Sequence, residues 1–583
     1  MTYKSENKIC QNCQKDFTIE PEDFNFYEKI KVPPPTFCPE CRTIRRLLFR
    51  NERSLYKKEN SASKSKEKII SMYSPESPYV VYDKEYWIND DNWDPRDYGV
   101  DYDFTKPFFK QFYSLDKKVP KYALYNVNPV RSDYCNICVD MKDCYLLFGS
   151  WYSENCQYGD TVLESKNCLD NSWINKCELS TQLINSDTCY QTFFAQDCEN
   201  CIDCWFIYDC KNCQNCLFSS NLRNRQFYVE NKPVSKEEFF KLKGSLLNLS
   251  YGLSESINKY KKIKGEAIHK FMVGKNYINS TGNFINNSRN IKKSHFIFEA
   301  DNVRYSVRSV KGQKDTSDVF GVGGGQLAYE SLNVDFSSNI ISALHGLNLI
   351  NVSYSVDCDN CQNCFGCTSL HNKKYCILNK QYTQEQYEEL VPKIIEHMND
   401  MPYIDAKGRI YKYGEFFPPE LSPFCYNETI AQEYFPLTKE EALKQGYKWK
   451  EKEARNYEID IKTEDIPDNI KDANEEIINK VIECEHRGEC NEQCTEAFKI
   501  IEPELQFYQR MNLPLPHFCP NCRHYQRLKQ RNPLKLWHRT CMCEKNNHST
   551  HLDIRCPSGF ETSYAPERPE IIYCEKCYQQ EVY

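Results

Sequence analysis

The middle of the chain consists of short apolar segments, rich in Tyr, Phe, Leu and Ile, that alternate with polar residues at a regular interval. Such segments have the composition of β-strands. Cysteines mark the interval, because Cys135, Cys156, Cys177 and Cys198 lie 21 residues apart. A fixed repeat of about 20 residues is typical of a parallel β-helix, whose coils stack equivalent residues. The pattern predicts a mainly β chain built on a Cys-rich parallel β-helix (solenoid).

The chain also contains a longer internal duplication. Residues 210–235 match residues 358–383 at a constant offset of 148. Each copy ends at a residue, Ser235 or Thr383, that begins a capping-box pattern and so opens a helix. We therefore predict two duplicated solenoid blocks, each followed by a helix.

The offset of 148 also indicates the role of the cysteines inside the solenoid. At this offset, Leu349 stands at the position of Cys201 and Val352 at that of Cys204. Neither Leu nor Val can bind a metal ion, so a metal site would be lost in the second block. Free cysteine buries well as a small apolar residue. We predict that these thiols fill the core. The alternative is a metal or redox site in the densest run, at 198–216.

The two ends of the chain carry the same Cys-rich segment, in which a first cysteine pair is followed by Phe-Tyr, prolines and Phe-Cys-Pro-x-Cys-Arg. Two such pairs, about two dozen residues apart, present four thiolates that suit tetrahedral zinc. The predicted ligands are Cys10, Cys13, Cys38 and Cys41 near the N-terminus, and Cys490, Cys494, Cys519 and Cys522 near the C-terminus. Cys484 and His486 are the alternatives to Cys490.

A further zinc site is predicted in the C-terminal copy. Its ligands are Cys541, Cys543, Cys574 and Cys577, and the role of Cys556 stays open. The equivalent N-terminal stretch has Asp83 and Tyr86 at the positions of the last pair, so this copy has lost its second site. We expect about three zinc ions, all structural, because closed four-thiolate sites leave no position for water.

An amphipathic helix follows each Phe-Cys-Pro-x-Cys-Arg motif. Ile44, Leu47 and Leu48 share its apolar side in the first copy, and arginines cover the other side. Arginines on such a helix are candidates for phosphate contacts with nucleic acid. The candidates are Arg42, Arg45, Arg46, Arg50, Arg53, Arg523, Arg527 and Arg531. The alternatives are a solvated face, or arginines that pack on the module's own aromatic rings.

Composition narrows the class of protein. The chain has 583 residues and a net charge of −7, so any nucleic-acid binding must be local. No window approaches the roughly 18 apolar residues of a membrane span. The polar N-terminus lacks the apolar core of a signal peptide. A reducing cytoplasm is expected, where the 33 cysteines are thiols and metal ligands rather than disulfides.

Catalytic motifs are missing from the sequence. The Gly-rich segment at 321–325 has neither the GxGxxG spacing nor the Lys-Ser/Thr of a phosphate-binding loop, and a turn between coils is expected there. No nucleophile elbow and no HExxH motif occurs. We therefore find no small-molecule substrate and do not expect an enzyme.

The terminal segments resemble the treble-clef zinc ribbon family, and the whole chain is similar to uncharacterised zinc-ribbon proteins of small-genome candidate-phylum bacteria. The family pattern stands here at Cys10, Cys13, Phe17, Glu22, Phe26, Tyr27, Pro35, Cys38, Cys41 and Arg42. Further shared phrases stand at 37–42, 50–56 and 414–424. The chain departs from such proteins by lacking their second N-terminal cysteine quartet. The resemblance implies zinc modules and implies no activity.

The predicted protein is a non-enzymatic zinc scaffold whose partner is a macromolecule, RNA or a ribonucleoprotein first and a protein second. The alternatives are an enzyme using the cysteines at 198–216 and a pure protein–protein adaptor. The predicted segments are a zinc ribbon at 1–60, a degenerate second module and aromatic cap at 61–125, solenoid at 126–232, a helical insertion at 233–268, solenoid at 269–380, a helix and aromatic segment at 381–450, an acidic linker at 451–483 and a double zinc module at 484–583.

Overall fold

The computed structural model describes residues 3–62, 67–246, 250–452, 457–545, 548, 551 and 555–583. The chain divides into two compact units that are discontinuous in sequence. Unit 1 comprises residues 1–124 and 272–451, and unit 2 comprises residues 125–271 and 452–583. Each unit therefore combines one terminal module with the solenoid block that is more distant from it in sequence. Among the helices that the structure describes, none is both long and apolar enough to cross a bilayer.

The predicted parallel β-solenoid is confirmed in both units. In unit 2 its strands pair in parallel register at steps of 12 residues, from Asp160 to Ser172, Ile184, Gln196 and onward. The strands are Asn126–Val127, Cys138–Val139, Tyr145–Phe148, Gln157–Leu163, Ser172–Asn175, Thr181–Asp187, Phe193–Gln196, Trp205–Tyr208, Gln214–Ser220, Gln226–Val229 and Lys232–Pro233. The last strand pairs antiparallel with its neighbour and ends the block.

In unit 2 the coil has 12 residues, not the 21 that the cysteine interval predicts. Every third residue from Asn128 to Glu230 has a positive φ, so the chain turns a corner after each triplet and closes a coil in four triplets. An interval of 21 is a multiple of three, and it keeps cysteines on the inward side without being the coil length. The left-handed position directly precedes the inward residue. Asn and Asp tolerate it best, which explains why Asn155 and Asp197 stand before cysteines.

The inward positions of unit 2 hold small or aliphatic side chains. Thirteen cysteines line this interior, and each is at most 2% exposed. Their thiols donate hydrogen bonds to backbone carbonyls, as Cys201 Sγ does to Cys210 O at 3.3 Å and Cys204 Sγ to Ile202 O at 3.3 Å. The prediction that these cysteines fill the core agrees with this packing.

The interior of the unit 1 solenoid contains fewer cysteines than that of unit 2. Val, Ala, Leu and Ile occupy most of its inward positions, and five cysteines lie towards its end. Its strands are Gly274–Ile278, Gly282–Lys292, Ser294–Phe298, Asp301–Arg304, Val307–Asp335, Ser337–Ile341, Leu344–Leu347, Ile350–Ser353, Val356–Asp359, Gln362–Phe365, Lys374–Ile377 and Lys380–Gln381. The Gly-rich segment at 321–325 lies inside one of these strands, where Gly321 and Gly324 occupy left-handed corners.

The remaining elements of unit 1 form the N-terminal module and the segments that cover its solenoid. The helices are Pro21–Ile30, Pro39–Leu47, Lys84–Ile88, Phe108–Asp116, Gln384–Asp400, Ile430–Tyr434 and Lys439–Lys444, with 3-10 turns at Pro95–Tyr98, Pro419–Leu421 and Tyr426–Glu428. The strands are Glu6–Ile9, Asp16–Ile19, Tyr56–Glu59, Lys68–Ser71, Val81–Tyr82, Lys121–Tyr122, Tyr403–Ile404 and Ile410–Tyr411. The capping box predicted at Thr383 is present.

Unit 2 adds the C-terminal module and the insertion between the blocks. The helices are Lys236–Ser245, Ser250–Glu266, Glu502–Met511, Pro520–Leu528 and Glu575–Val582, with 3-10 turns at Thr463–Asp465, Ile470–Asp472 and Glu475–Ile477. The strands are Ile268–Lys270, Ile482–Glu483, Ala497–Phe498, Trp537–Thr540, Gly559–Thr562 and Ile571–Tyr573. The described part of the acidic segment at 451–483 is more than a linker, because Ile470 and Ile477 are buried in the core that it shares with the module.

Candidate metal centres

The four predicted N-terminal ligands meet in one cluster. The ligand atoms of Cys10, Cys13, Cys38 and Cys41 all lie within 4.8 Å of one another. Cys13 Sγ is 3.8 Å from Cys38 Sγ, and the backbone amide of Cys38 donates to Cys10 Sγ at 3.2 Å. Amide donors of this kind stabilise a thiolate, which is the form that binds a metal ion. This set of residues could therefore hold a metal ion.

Two local structures position these sulfurs. Cys10 follows strand Glu6–Ile9, and a tight turn closes with Gln14 N donating to Cys10 O at 3.0 Å, where Gln14 adopts a left-handed φ of 58°. Cys38 is the N-cap residue of helix Pro39–Leu47, and Cys41 lies in its first turn. Proline directly after the cap suits the first helical position, whose amide has no partner within the helix.

The first C-terminal cluster corrects one predicted ligand. It consists of Cys484, Cys494, Cys519 and Cys522, all buried, so Cys484 takes the place predicted for Cys490. The amide of Cys519 donates to Cys484 Sγ at 3.2 Å, just as the amide of Cys38 does to Cys10. Cys490 is only half-buried and lies outside this cluster, with its sulfur 3.8 Å from Cys522 Sγ. It belongs to a neighbouring group with His486, Glu492 and Cys522 that could also hold a metal ion.

The second C-terminal cluster corrects another ligand. Cys541, Cys556, Cys574 and Cys577 come together, so Cys556 replaces the predicted Cys543. Cys556 Sγ is 3.9 Å from Cys574 Sγ, and the amide of Cys574 donates to Cys541 Sγ at 3.2 Å. Hydrogen bonding from Cys541 lowers the pKa of Cys574 to about 4 against the opposing effect of burial. The same contact raises the pKa of Cys541, so Cys574 is the sulfur of this pair that is a thiolate.

All three clusters share a donor set of four sulfurs at the start of a helix. Cys38, Cys519 and Cys574 are each the N-cap residue of the helix that follows. The positive end of the helix dipole lies at this position and favours negative charge on the sulfur. Four thiolates fit a soft or borderline metal ion in tetrahedral geometry. The donor chemistry of these residues thus fits the implied metal.

The arginines of the N-terminal helix do not face solvent. Arg42, Arg45 and Arg46 are each at most 2% exposed and enter a carboxylate cluster on the solenoid strand Val307–Asp335. Arg46 Nη1 lies 2.9 Å from Glu330 Oε2, and Arg45 Nη2 lies 2.8 Å from Glu330 Oε1. Arg45 also stacks on an aromatic ring of the module, with its guanidinium carbon 4.3 Å from the centre of the ring of Phe37.

Unit 2 repeats this arrangement with equivalent residues. Arg523 Nη1 contacts Asp170 Oδ2 at 2.5 Å, and Arg527 Nη1 contacts Asp170 Oδ1 at 2.8 Å. Asp170 and Asp318 are related by the offset of 148 between the two solenoid blocks. Both modules are therefore held to their blocks by the same buried contact between module arginines and a solenoid aspartate.

These contacts place the proposed nucleic-acid residues in the interior. Arg50 is buried against Glu52, whose Oε1 lies 2.5 Å from Arg50 Nε, and Arg531 lies 3.6 Å from Asp160. Arg53 is half-buried. The prediction of an exposed basic face is wrong for the seven buried arginines. Buried carboxylates inside the unit neutralise their charge. The alternative of arginines that pack on the module describes them better, with the solenoid as their main partner.

The solenoid cysteines at 198–216 are placed differently from the three clusters. Among the residues that the structure describes, the groups able to hold a metal ion do not include them. Burial raises the pKa of Cys198 and of Cys204 well above the ordinary value, whereas hydrogen bonds from neighbouring thiols lower the pKa of Cys201 and bring that of Cys216 to about 4. All four thiols are buried in the solenoid core, and reactive cysteines are at least partly exposed.

Sequence reasoning kept Cys484 only as an alternative to Cys490, left the role of Cys556 open and missed the solenoid carboxylates. Cys484 precedes the expected pair by six residues, and Cys556 stands alone in the sequence, so spacing did not select them. Asp318 and Asp170 had one usable signal, which is that they are equivalent under the duplication that relates the two blocks.

Comparisons with known proteins add little. No family model matches the chain, and no curated protein matches it. A solved structure described as a "putative acetyltransferase" from Desulfovibrio desulfuricans G20 is 11% identical over 39% of this chain and 51% of that chain, with a TM-score of 0.08. The chain spans about half the length of that neighbour, and a likeness this weak carries no argument about fold or function.

Proposed function

We propose that the chain is a zinc-dependent, non-enzymatic scaffold in which each zinc module packs against a solenoid block and is held there by buried ion pairs. One observation carries the proposal. The helix that begins at the metal cluster is the helix whose arginines enter the solenoid, with Cys38 and Arg42 on one copy and Cys519 and Arg523 on the other. Metal binding at the start of this helix fixes the direction in which its arginines point.

Zinc is the metal that suits this role. Four thiolates complete its tetrahedral shell and leave no open position for water or substrate, as in structural sites. The energy of metal binding then stabilises folding of a small module that has little core of its own. We assign one zinc ion to each of the three four-cysteine clusters. The reduced thiols suit a reducing compartment, and we propose the cytoplasm.

The partner of the scaffold is proposed to be a macromolecule that contacts the exposed side of a solenoid. In unit 2 several exposed cations there pair with carboxylates of neighbouring coils: Lys142 and Lys166 both contact Glu154, and Arg131 contacts Asp143. Nucleic acid is held mainly by cations that can release counterions at phosphates. With these cations and the module arginines already paired, we favour a protein partner over RNA.

The test of the scaffold begins with one cysteine of the first cluster. Cys38→Ser is expected to remove one zinc ion and to lower the melting temperature of the chain, because the docking helix loses its fixed start. Cys425→Ser is the matched control, since Cys425 is a half-buried cysteine of the same unit outside every cluster. An unchanged zinc content in the Cys38 variant would reject the assignment.

The nature of the partner needs a separate experiment. Chemical and ultraviolet crosslinking in cells are expected to join the solenoid to a protein and to recover no RNA. Recovery of RNA that dissociates with rising salt would instead restore the prediction of nucleic-acid binding.

A further inference from the structure

A second group of metal-ligating side chains adjoins the last four-cysteine cluster. Cys543, His548, His551 and Cys577 have ligand atoms within 4.8 Å of one another, and all four residues are buried. Cys577 belongs both to this group and to the cluster of Cys541, Cys556 and Cys574. Two thiolates and two imidazoles form one of the common ligand sets of zinc.

His548 is oriented as a metal ligand is. Its Nδ1 lies 3.8 Å from Cys543 Sγ, and its Nε2 lies 2.8 Å from Glu581 Oε1. A histidine that binds a metal through one ring nitrogen usually donates its other N–H to a carboxylate, which fixes the ring and its tautomer. Glu581 supplies that carboxylate and is itself held by the ammonium group of Lys545. Both ring nitrogens lie near Cys543 Sγ, at 3.8 Å for Nδ1 and 4.0 Å for Nε2, and the bond of Nε2 to Glu581 leaves Nδ1 as the nitrogen that would bind an ion.

His551 lies next to His548. Its backbone amide donates to His548 O at 3.3 Å, and the two imidazole rings have centroids 5.1 Å apart. By contrast, His538 of the same module is exposed, and its Nδ1 lies 3.1 Å from Glu561 Oε1.

We propose that this module holds two metal ions rather than one. The first ion takes the four sulfurs of Cys541, Cys556, Cys574 and Cys577. The second takes Cys543, His548 and His551 and shares Cys577, whose thiolate bridges the two ions. The second ion also lowers the buried negative charge, because two divalent ions with five thiolates carry less excess charge than one divalent ion with four. The metal expected at both positions is zinc.

This inference rests on the proposed zinc modules, and one experiment separates the two. Crystals of the full chain, grown with zinc and measured at the zinc absorption edge, would give an anomalous difference peak at each ion. We expect two neighbouring peaks in this module, with the second bounded by Cys543, His548 and His551. A single peak among the four cysteines, beside clear peaks in the other two clusters, overturns the inference and leaves the proposed function standing. Absence of peaks from all four-cysteine clusters would reject the proposed function itself.

A pair of variants gives the same answer in solution. The double substitution His548→Asn with His551→Asn is expected to reduce the zinc content measured by native mass spectrometry by one ion per chain. His538→Asn, the exposed control in the same module, is expected to leave the content unchanged. A double variant with the zinc content of the wild type overturns the inference. If the double variant fails to fold, the anomalous map of the unmodified chain decides alone.

Discussion

Arg42 and Asp318 form a two-point ion pair that is fully removed from solvent. Arg42 Nε lies 2.8 Å from Asp318 Oδ1, and Arg42 Nη2 lies 3.0 Å from Asp318 Oδ2. Arg46 Nη1 adds a third contact to the same carboxylate at 3.3 Å. Paired donors of this geometry match a carboxylate in direction as well as in charge. The pair fixes the register of the zinc module on its solenoid block.

Loss of the Asp318 charge should destabilise unit 1 strongly. Asp318→Asn leaves Arg42 and Arg46 buried beside a neutral amide, and an uncompensated buried charge typically costs about 3–5 kcal/mol. Chemical denaturation of the variant measures this loss. The matched control is Asp301→Asn, which removes a carboxylate of the same block that pairs with the exposed Arg289. We expect no resolvable change for the control, and equal effects of the two substitutions would refute the role of the buried pair.

Two cysteines six residues apart should behave differently. Cys484→Ser is expected to lower the zinc content by one ion, because Cys484 is one of four sulfurs in its cluster. Cys490→Ser is expected to keep the full zinc content of the wild type, since Cys490 lies outside that cluster. Elemental analysis of both variants decides. Zinc loss in the Cys490 variant alone would return the assignment to the one that sequence spacing suggests.

The interior cysteines should not react with thiol reagents while the protein is folded. Thirteen cysteines in the block of unit 2 and five in the block of unit 1 are buried in the solenoid cores. We expect a colorimetric thiol assay to detect them only after unfolding, whereas the cysteines of the metal clusters become reactive once zinc is chelated. Reaction of solenoid thiols in the native, zinc-loaded protein would point back to thiol chemistry at 198–216.

Ionisation of the buried Asp197 should lower the free energy of unfolding of unit 2 as the pH rises. Burial raises the pKa of Asp197 to about 7, although Lys264 opposes the effect. The folded state therefore binds a proton that the unfolded state releases near pH 4, and stability falls between about pH 4 and 7. Asp197→Asn keeps a residue that tolerates the left-handed corner and removes this dependence. The variant should melt at a higher temperature than the wild type at pH 8, with a smaller gain at pH 6. A gain that does not change with pH would contradict the raised pKa.

The solenoid could be predicted from sequence, but its coil length could not. Cysteines at multiples of three mark the inward positions, and Asn155 and Asp197 mark the corners, yet neither pattern states how many triplets close a coil. That number follows from strand pairing, which links Asp160 to Ser172 across 12 residues. Sequence intervals therefore show which positions face inward but do not give the number of residues in a coil.

The metal clusters were predictable to within one ligand each, and the docking contacts were not. The ligands that spacing misassigned, Cys484 and Cys556, depend on how a loop returns to the helix that starts at Cys519 or at Cys574, and spacing does not fix a loop. The helix of Arg42 shows a basic side in sequence whether that side meets water, phosphate or a carboxylate. Its partner Asp318 is 276 residues away in the chain and becomes a neighbour only through the fold.

The claim that metal binding holds the docking helices is tested most directly by hydrogen exchange before and after zinc removal with a chelator. We predict that the amides of helices Pro39–Leu47 and Pro520–Leu528 lose their protection when zinc is removed, while solenoid strands such as Trp205–Tyr208 keep theirs. Helices that stay protected after the zinc content has fallen to zero would contradict the account.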